Sequence, residues 1–371
     1  MFSKVLKGVL SMKTYTIPLI PGPVSVPARF REAYMTDFGS SDLEKDFYDL
    51  LKENQALLKK ILNTENSVTI QSGEAMLVLW GALKSTVKPK DRVLTLSNGL
   101  FGHGLGEMAG SLGAEVRYIE ADDGSFIDES ILMRELASFR PDVVTAVHCE
   151  TPSGLLNPIG KIAPMIKESG AIFCVDFVAS AGGAEVKVDE WGIDLGLLGS
   201  QKCLSLLPDL SVLTMSEKAW KAAEKVNYAG YDAVLPWRNA EEKMEMPCTH
   251  NWHANAAMNL SLRSLLDEGL ENSFRRHREA AEYCRSRIIA MGLELYAKDI
   301  TLASPTVTAV KIPSGWTWAQ LDGSLREHGM GAGGSYGPLA GKVFRIGHMG
   351  SQANMELVKK GMDVLEKVLN K

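Results

Sequence analysis

An aspartate follows one apolar segment at a point where small residues come next. Asp176 stands directly after the apolar run 171–175, and the small residues 179–183 lie just beyond it. An aspartate at the end of a strand often caps the next helix, because its carboxylate accepts hydrogen bonds from the first-turn N–H groups. The alternative is a buried anion that pairs with a cationic ring nitrogen of a ligand. This segment alone leaves both interpretations open.

A lysine ends a second segment of the same kind. Lys202 follows the apolar and small residues 195–201, at 202 − 176 = 26 residues after Asp176. Most lysines are solvated surface groups, but one beside apolar strands has a lowered pKa and acts as an amine nucleophile. Pyridoxal chemistry uses this pair, because a lysine forms a Schiff base while an acid keeps the pyridine nitrogen protonated. The two residues together therefore predict a pyridoxal cofactor.

A glycine turn at a helix start offers a candidate anion site. The short apolar run 68–70 leads into a helical pattern over 74–86, and at their junction lie Gly73, Glu74, Ala75 and Met76. A helix N-terminus presents free N–H groups and the positive end of the helix dipole, which favour a phosphate. A turn followed by an ordinary helix cap is the alternative.

Two further residues have a type suited to a planar, acidic ligand. Phe101 follows the apolar run 92–96, where its ring either stacks on a ligand or fills the core. Arg345 lies in the apolar run 343–346 and needs a carboxylate partner, either internal or from a substrate.

The elements that position these residues alternate along the chain. Helical patterns cover 43–63, 74–86, 103–112, 128–138 and 160–168, and short strand patterns cover 68–70, 92–96, 143–148, 171–175 and 195–198. This alternation predicts an α/β fold with a mostly parallel sheet between helices. In such sheets, ligands bind at the carboxyl ends of the strands, which is where Asp176 and Lys202 fall.

The pattern changes near residue 255 to long helices, a strand-like stretch at 306–312 and a terminal helix at 353–369. We therefore predict an N-terminal arm (1–35), a large cofactor-binding domain (36–255) and a smaller C-terminal α+β domain (256–371).

Composition and charge exclude several classes of partner. The 371 residues include 40 Lys plus Arg and 45 Asp plus Glu, a net charge of −5, so neither a nucleic-acid surface nor a nucleic-acid partner is expected. No apolar run reaches the roughly 18–20 residues that span a membrane. The five cysteines form no Cys-x-x-Cys pair, which argues against a metal site and indicates a reducing, cytoplasmic location. The first twelve residues do not resemble a signal peptide, and Met12 is an alternative start.

Several segments at matching spacings carry a family resemblance, and they lie at 175–183, 192–202, 268–273, 277–281, 305–308 and 345–347. Together they resemble the class V (fold type I) aminotransferases, in particular the alanine–glyoxylate and serine–pyruvate group. The resemblance implies a mostly parallel, seven-stranded large domain, pyridoxal 5′-phosphate and a homodimer with a shared active site. It also implies transfer of an amino group from a small amino acid, of alanine or serine type, to glyoxylate or pyruvate.

The resemblance assigns roles to the candidate residues. Lys202 forms the Schiff base and moves protons, Asp176 holds the pyridine nitrogen, and Arg345 binds the substrate carboxylate. The ring is placed near Phe101, Val178 and Thr151, and the phosphate near Gly73, Ala75, Met76, Gln201 and, from the partner subunit, Thr249.

Glu74 departs from the family pattern, because a carboxylate should repel a phosphate. It lies in the candidate anion site at residues 73–76, which we call the phosphate cup. A similar Gly-Glu turn resembles pyridoxamine–pyruvate aminotransferase, which uses the unphosphorylated vitamer as a substrate. Against that alternative, Tyr336 stands where the relative has a second arginine. Met246 also replaces the family's aromatic residue near the phosphate. A cysteine desulfurase-like lyase is a further alternative, although Cys203 adjoins the lysine rather than a mobile loop.

Overall fold

A computed structural model of the chain describes residues 15–121 and 124–370. Residues 1–14, 122–123 and 371 lie outside the described residues, and so does the alternative start at Met12.

The described strands are β1 Ile17–Pro18, β2 Ser67–Ser72, β3 Arg92–Ser97, β4 Glu115–Glu120, β5 Val143–Val147, β6 Cys149–Glu150, β7 Leu155–Leu156, β8 Ile172–Asp176, β9 Leu195–Gly199, β10 Leu210–Met215, β11 Val307–Lys311, β12 Met330–Gly331, β13 Gly333–Gly334 and β14 Val343–Gly347. The α-helices are α1 Ala28–Tyr34, α2 Lys45–Leu62, α3 Ala75–Thr86, α4 Leu100–Ser111, α5 Glu129–Phe139, α6 Ile159–Ser169, α7 Glu217–Val226, α8 Ala240–Lys243, α9 Trp252–Glu268, α10 Leu270–Ala290, α11 Trp318–Glu327 and α12 Met355–Leu369. Short 3₁₀ turns cover Leu235–Trp237, Ile300–Leu302, Gly337–Leu339 and Gly350–Gln352.

In the described part of the chain, the large sheet has seven strands in the order β2-β10-β9-β8-β5-β3-β4. β10 is antiparallel to both of its neighbours, and the other pairs are parallel. Alternate strand residues face two apolar cores, one formed with α2, α5, α6 and α9 and the other with α3, α4 and α7. Burial on both faces explains the continuous apolar runs of the inner strands. The predicted α/β architecture is confirmed.

The sheet order brings the candidate residues to one edge. Asp176 is the last residue of β8, and Lys202 lies three residues beyond Gly199, where the adjacent parallel strand β9 ends. Because parallel strands end at the same edge, the two side chains meet there although 26 residues separate them.

Two strands of this sheet were not identified from the sequence pattern. β4 is an edge strand whose residues mostly alternate between exposed and half-buried, so it lacks a continuous apolar run. β10 is fully buried but antiparallel, and it follows β9 without an intervening helix, which breaks the strand–helix alternation.

A three-stranded sheet in the order β11-β14-β13 packs against α10 and α12 in the C-terminal part of the chain. Strand β1 of the arm pairs with β12, and Leu19 lies in the same apolar core. The arm therefore runs alongside the small sheet before it reaches the large one. The exact domain bounds stay a prediction.

Candidate active site

A cavity of about 380 Å³ lies at the carboxyl edge of the large sheet. It gathers residues from the arm, the sheet and the C-terminal region, and its lining consists of Gly22, Pro23, Glu74, Ala75, Met76, Phe101, Cys149, Thr151, Asp176, Val178, Ala179, Gln201, Lys202, Pro208 and Tyr336. Most of the residues predicted for the cofactor thus line one cavity. Among the described residues, no cluster of His, Cys, Asp and Glu is suited to a metal ion, and no helix is long and apolar enough to cross a membrane.

Asp176 lies in the wall of the cavity as a buried carboxylate. Its Oδ1 accepts the N–H of Val178 at 2.8 Å, so the capping interpretation holds only for a local turn and not for a helix. Burial raises the pKa of Asp176 to about 6, although the Val178 N–H and the Lys202 cation lower it. The group is still anionic at neutral pH and suits a protonated pyridine nitrogen.

The side chain of Lys202 lines the cavity and contacts the N-terminal arm. Its Nζ donates a hydrogen bond to the carbonyl oxygen of Pro21 at 2.6 Å. Burial, reinforced by the nearby Arg345 cation, lowers the pKa of Lys202 to about 8. A substantial fraction of the amine is therefore neutral, and nucleophilic, near neutral pH.

Gly22 is the point of closest approach between the arm and the lysine. Its φ is +86°, a conformation that favours glycine, and a Cβ built there would lie 2.5 Å from Cδ of Lys202. The N–H of Val24 donates to the carbonyl of Gln201, which ties the arm to the sheet edge. The close contact explains why glycine is needed in this position.

Phe101, Thr151 and Val178 line the cavity from three different elements. Phe101 stands in the first turn of α4, Thr151 follows β6, and Val178 follows β8. Aromatic and aliphatic side chains at these positions suit a planar ring. Their contacts with opposite ring faces stay a prediction.

Glu74 occupies the centre of the predicted phosphate cup. Its Oε2 accepts the N–H of Met76 at 2.8 Å as the cap of α3, and its Oε1 accepts the side-chain amide of Gln201 at 2.7 Å. Both donors had been assigned to the cofactor phosphate. In this structure the carboxylate of the chain itself binds both donors, and their contact with a phosphate stays a prediction.

The cavity fits the ring end of pyridoxal phosphate better than its phosphate end. At the ring end, Lys202 and Asp176 provide an amine and an anion. At the other end, Glu74 already accepts the N–H of Met76 and the side-chain amide of Gln201, so a phosphate has to displace Glu74 from these two donors.

Arg345 lies in the middle of β14, and its side chain is almost fully buried. Its Nε donates to the carbonyl of Gly334 at 2.9 Å, and its guanidinium carbon lies 4.5 Å from the centroid of the Tyr336 ring. Within the described ranges it forms no ion pair with an aspartate or glutamate. An internal carboxylate partner is therefore not observed among the described residues, which leaves a substrate carboxylate as the remaining interpretation. Arg345 does not itself line the cavity, because Tyr336, which does, lies over its guanidinium.

Thr249 does not line this cavity. Its Oγ1 donates to a carboxylate oxygen of Asp42 at 3.0 Å on the surface of the chain. The sequence assigned Thr249 to the active site of the partner subunit, so its distance from the cavity of its own chain does not conflict with that prediction.

Several cavity residues were missed or left unplaced by the sequence. Pro21 and Gly22 reach Lys202 from the arm, and the Pro-Gly-Pro turn at 21–23 was the available signal. The position of Tyr336 over Arg345 had no local signal, because the contact joins a loop to a neighbouring strand.

Comparisons with known proteins agree with this geometry. The family model "Aminotransferase class-V" matches residues 28–337. The chain is 32% identical to an alanine–glyoxylate aminotransferase of Callithrix jacchus, with 99% of this chain and 90% of that protein covered.

Two solved structures share the whole architecture. Ureidoglycine–glyoxylate aminotransferase from Bacillus subtilis superposes with a TM-score of 0.92 at 32% identity, covering 97% of this chain and 94% of that one. Pyridoxamine–pyruvate aminotransferase from Mesorhizobium loti gives a TM-score of 0.93 at 28% identity, covering 96% and 93%. On the family match, the relatives and the cavity, the chain belongs to the pyridoxal-phosphate-dependent class V aminotransferases.

Proposed function

We propose that the chain transfers an amino group from a small amino acid, of alanine or serine type, to glyoxylate or pyruvate. The observation that carries the proposal is the buried Arg345, which has no acidic partner among the described residues and lies under Tyr336, a residue that lines the same cavity as Lys202. A carboxylate bound there places the α-carbon of an amino or oxo acid near the reactive amine. Named relatives that use glyoxylate support the same substrate class.

Each residue has a defined task in this reaction. Lys202 would hold pyridoxal phosphate through its carbonyl carbon, and the bound group would supply an electron-withdrawing ring and exchange the lysine amine for the substrate amine at that carbon. The freed Nζ of Lys202 would remove and return the proton on the substrate α-carbon, since its pKa of about 8 lies near neutral pH. Asp176 holds the proton on the ring nitrogen, and Arg345 orients the substrate carboxylate.

Glu74 favours a second candidate, in which unphosphorylated pyridoxamine is the amino donor and pyruvate the acceptor. The Glu74 carboxylate accepts hydrogen bonds from two donors that were assigned to the phosphate, and a carboxylate suits a hydroxymethyl group better than a phosphate. A relative from Mesorhizobium japonicum, 32% identical over 80% of this chain, is named pyridoxamine–pyruvate transaminase. Against this candidate, Tyr336 stands at the position where the resemblance to that relative implies a second arginine.

The two thiols near Lys202 do not suit the lyase alternative. Cys149 and Cys203 are buried, and burial raises the pKa of the Cys149 thiol to about 11 and that of Cys203 to about 12. Both thiols are therefore protonated and sheltered, whereas a sulfur-accepting cysteine must be an accessible thiolate.

The proposal includes a homodimer that completes the cavity, in a reducing cytoplasmic location. Exposed leucines adjoin the lining residues, since Leu77 is 63% exposed and Leu207 is 44% exposed. Apolar side chains beside a ligand cavity suit a protein partner, and Thr249 lies on the surface as a shared residue requires.

The test is to purify the protein, release any bound cofactor with acid and assay it for the 5′-phosphate. Alanine and serine are then screened with glyoxylate and pyruvate, and pyridoxamine with pyruvate, with Lys202→Ala as the inactive control. Bound pyridoxal phosphate with turnover of alanine or serine supports the first candidate. Turnover of free pyridoxamine without a bound phosphate ester supports the second, and no turnover in any pair refutes both.

A further inference from the structure

Glu150 is a buried acid beside the cavity that the reaction as described does not use. It is fully buried at the end of β6, and its side chain does not line the cavity. Its Oε1 accepts the N–H of Phe101 at 3.1 Å, and its Oε2 accepts the N–H of Gly102 at 2.9 Å. One carboxylate therefore binds two successive donors in the first turn of α4, where an anion is favoured.

The surrounding backbone is shaped to admit this carboxylate. A Cβ on Gly99 would lie 2.4 Å from Cγ of Glu150, and a Cβ on Gly102 would lie 3.1 Å from Cα of Ser97. Glycine at 99 lets the start of α4 pack directly on the acid, and glycine at 102 lets the same turn pack on the backbone of β3. The fit leaves little room for the turn to shift.

The same residue also organises the segment that follows it. Its carbonyl oxygen accepts the N–H groups of Ser153 and Gly154, at 3.2 and 2.9 Å, which closes a turn around Thr151. Phe101 and Thr151, which both line the cavity, are thus held through one residue.

We infer that Glu150 is a positioning residue, whose carboxylate fixes Phe101 for contact with the aromatic ring of the ligand. The inference rests on the proposed function, because it needs a pyridoxal ring in the cavity. A buried charge is costly, and burial raises the pKa of Glu150 to about 7 although the two N–H groups lower it and the nearby Asp176 raises it further. A residue that only filled space would not need a carboxylate here.

The test is a double-mutant cycle between Glu150→Gln and Phe101→Leu, read as the dissociation constants of pyridoxal and of its phosphate. Glutamine is the same size but turns an amide donor towards one of the two N–H groups. We expect ring affinity to fall by about tenfold, the loss typical of a hydrogen bond to a charged group. In the Phe101→Leu background the same change should cost less than about twofold. Equal losses in both backgrounds overturn the inference.

A second readout does not depend on ligand. In the cofactor-free protein, amide hydrogen exchange at residues 100–104 should be faster in Glu150→Gln, because the anchor of the first turn is weakened. If the wild-type protein binds neither vitamer, the proposed function fails, while the exchange rates still decide whether Glu150 anchors Phe101. Unchanged exchange overturns the inference.

Asp128 provides a matched control. Its Oδ1 accepts the N–H groups of Ser130 and Ile131 at the start of α5, in the same capping role but away from the cavity lining. Asp128→Asn should leave ring affinity unchanged. If Glu150→Gln does not fold, Glu150→Asp keeps the charge, withdraws it by one methylene and is expected to weaken ring binding in the same direction; unchanged ring affinity in this variant overturns the inference.

Discussion

Replacement of Glu74 by serine should strengthen binding of pyridoxal phosphate relative to pyridoxal. In the present structure the carboxylate binds the N–H of Met76 and the side chain of Gln201. Serine removes the negative charge and frees the Gln201 amide, and its hydroxyl still caps α3. The change therefore opens the cup without removing the helix cap.

The magnitude follows from the charge that is removed. Two unit charges about 4 Å apart near a protein surface interact by about 4 kcal/mol, and about 1.4 kcal/mol corresponds to a tenfold change in affinity. Glu74 is only partly buried, so solvent screens part of this repulsion. We expect the ratio of pyridoxal phosphate to pyridoxal affinity to rise by about a hundredfold.

The assay is a titration of the cofactor-free protein with each vitamer, followed by tryptophan fluorescence. Asp128→Ser is the matched control, since it makes the same kind of substitution at the cap of α5, away from the cavity. Its affinity ratio should equal that of the wild type. A ratio in Glu74→Ser within about twofold of the wild-type value would show that Glu74 does not oppose the phosphate.

The remaining predictions concern the arm, the lysine and the arginine. Gly22→Ala should prevent covalent cofactor attachment, because its Cβ would lie 2.5 Å from Cδ of Lys202; borohydride reduction and mass spectrometry measure the attached cofactor, and normal labelling would contradict the overlap. The attachment rate should rise with pH and level off above about 8, because only the neutral amine reacts and burial lowers the pKa of Lys202 to about 8; a continued rise towards pH 10 would indicate an ordinary lysine. Arg345→Gln should raise the KM of the amino donor by about a hundredfold, because a paired charge is lost in a buried setting; borohydride labelling of Lys202 is the control for an intact cavity, and an unchanged KM would exclude Arg345 as the carboxylate ligand.

Short-range pattern was enough to predict the architecture and the positions of Asp176 and Lys202 at the ends of their strands. Inner strands such as β5, β8 and β9 are buried on both faces, so their apolar runs are visible in the sequence. Asp176 and Lys202 follow two of these strands directly. Parallel pairing then places both residues at one edge without any further information.

The contacts of Glu74 in the phosphate cup could not be predicted from the local sequence pattern. A glutamate after a glycine is compatible with a helix cap, a surface acid or a ligand group, and the sequence left this choice open. The contact that decides it joins Glu74 to Gln201, which are 127 residues apart. It depends on β2 and β9 flanking β10 in the sheet.

The sequence by itself determined the fold class and predicted Lys202 and Asp176 as the reactive pair, because both follow from residue type and from periodicity over adjacent positions. The tertiary structure alone decided that Pro21 contacts Lys202 across 181 residues, that Tyr336 covers Arg345, and that Glu74 takes the donors of the cup. These contacts join segments that lie side by side only after the sheets and the arm have packed, so no local pattern records them.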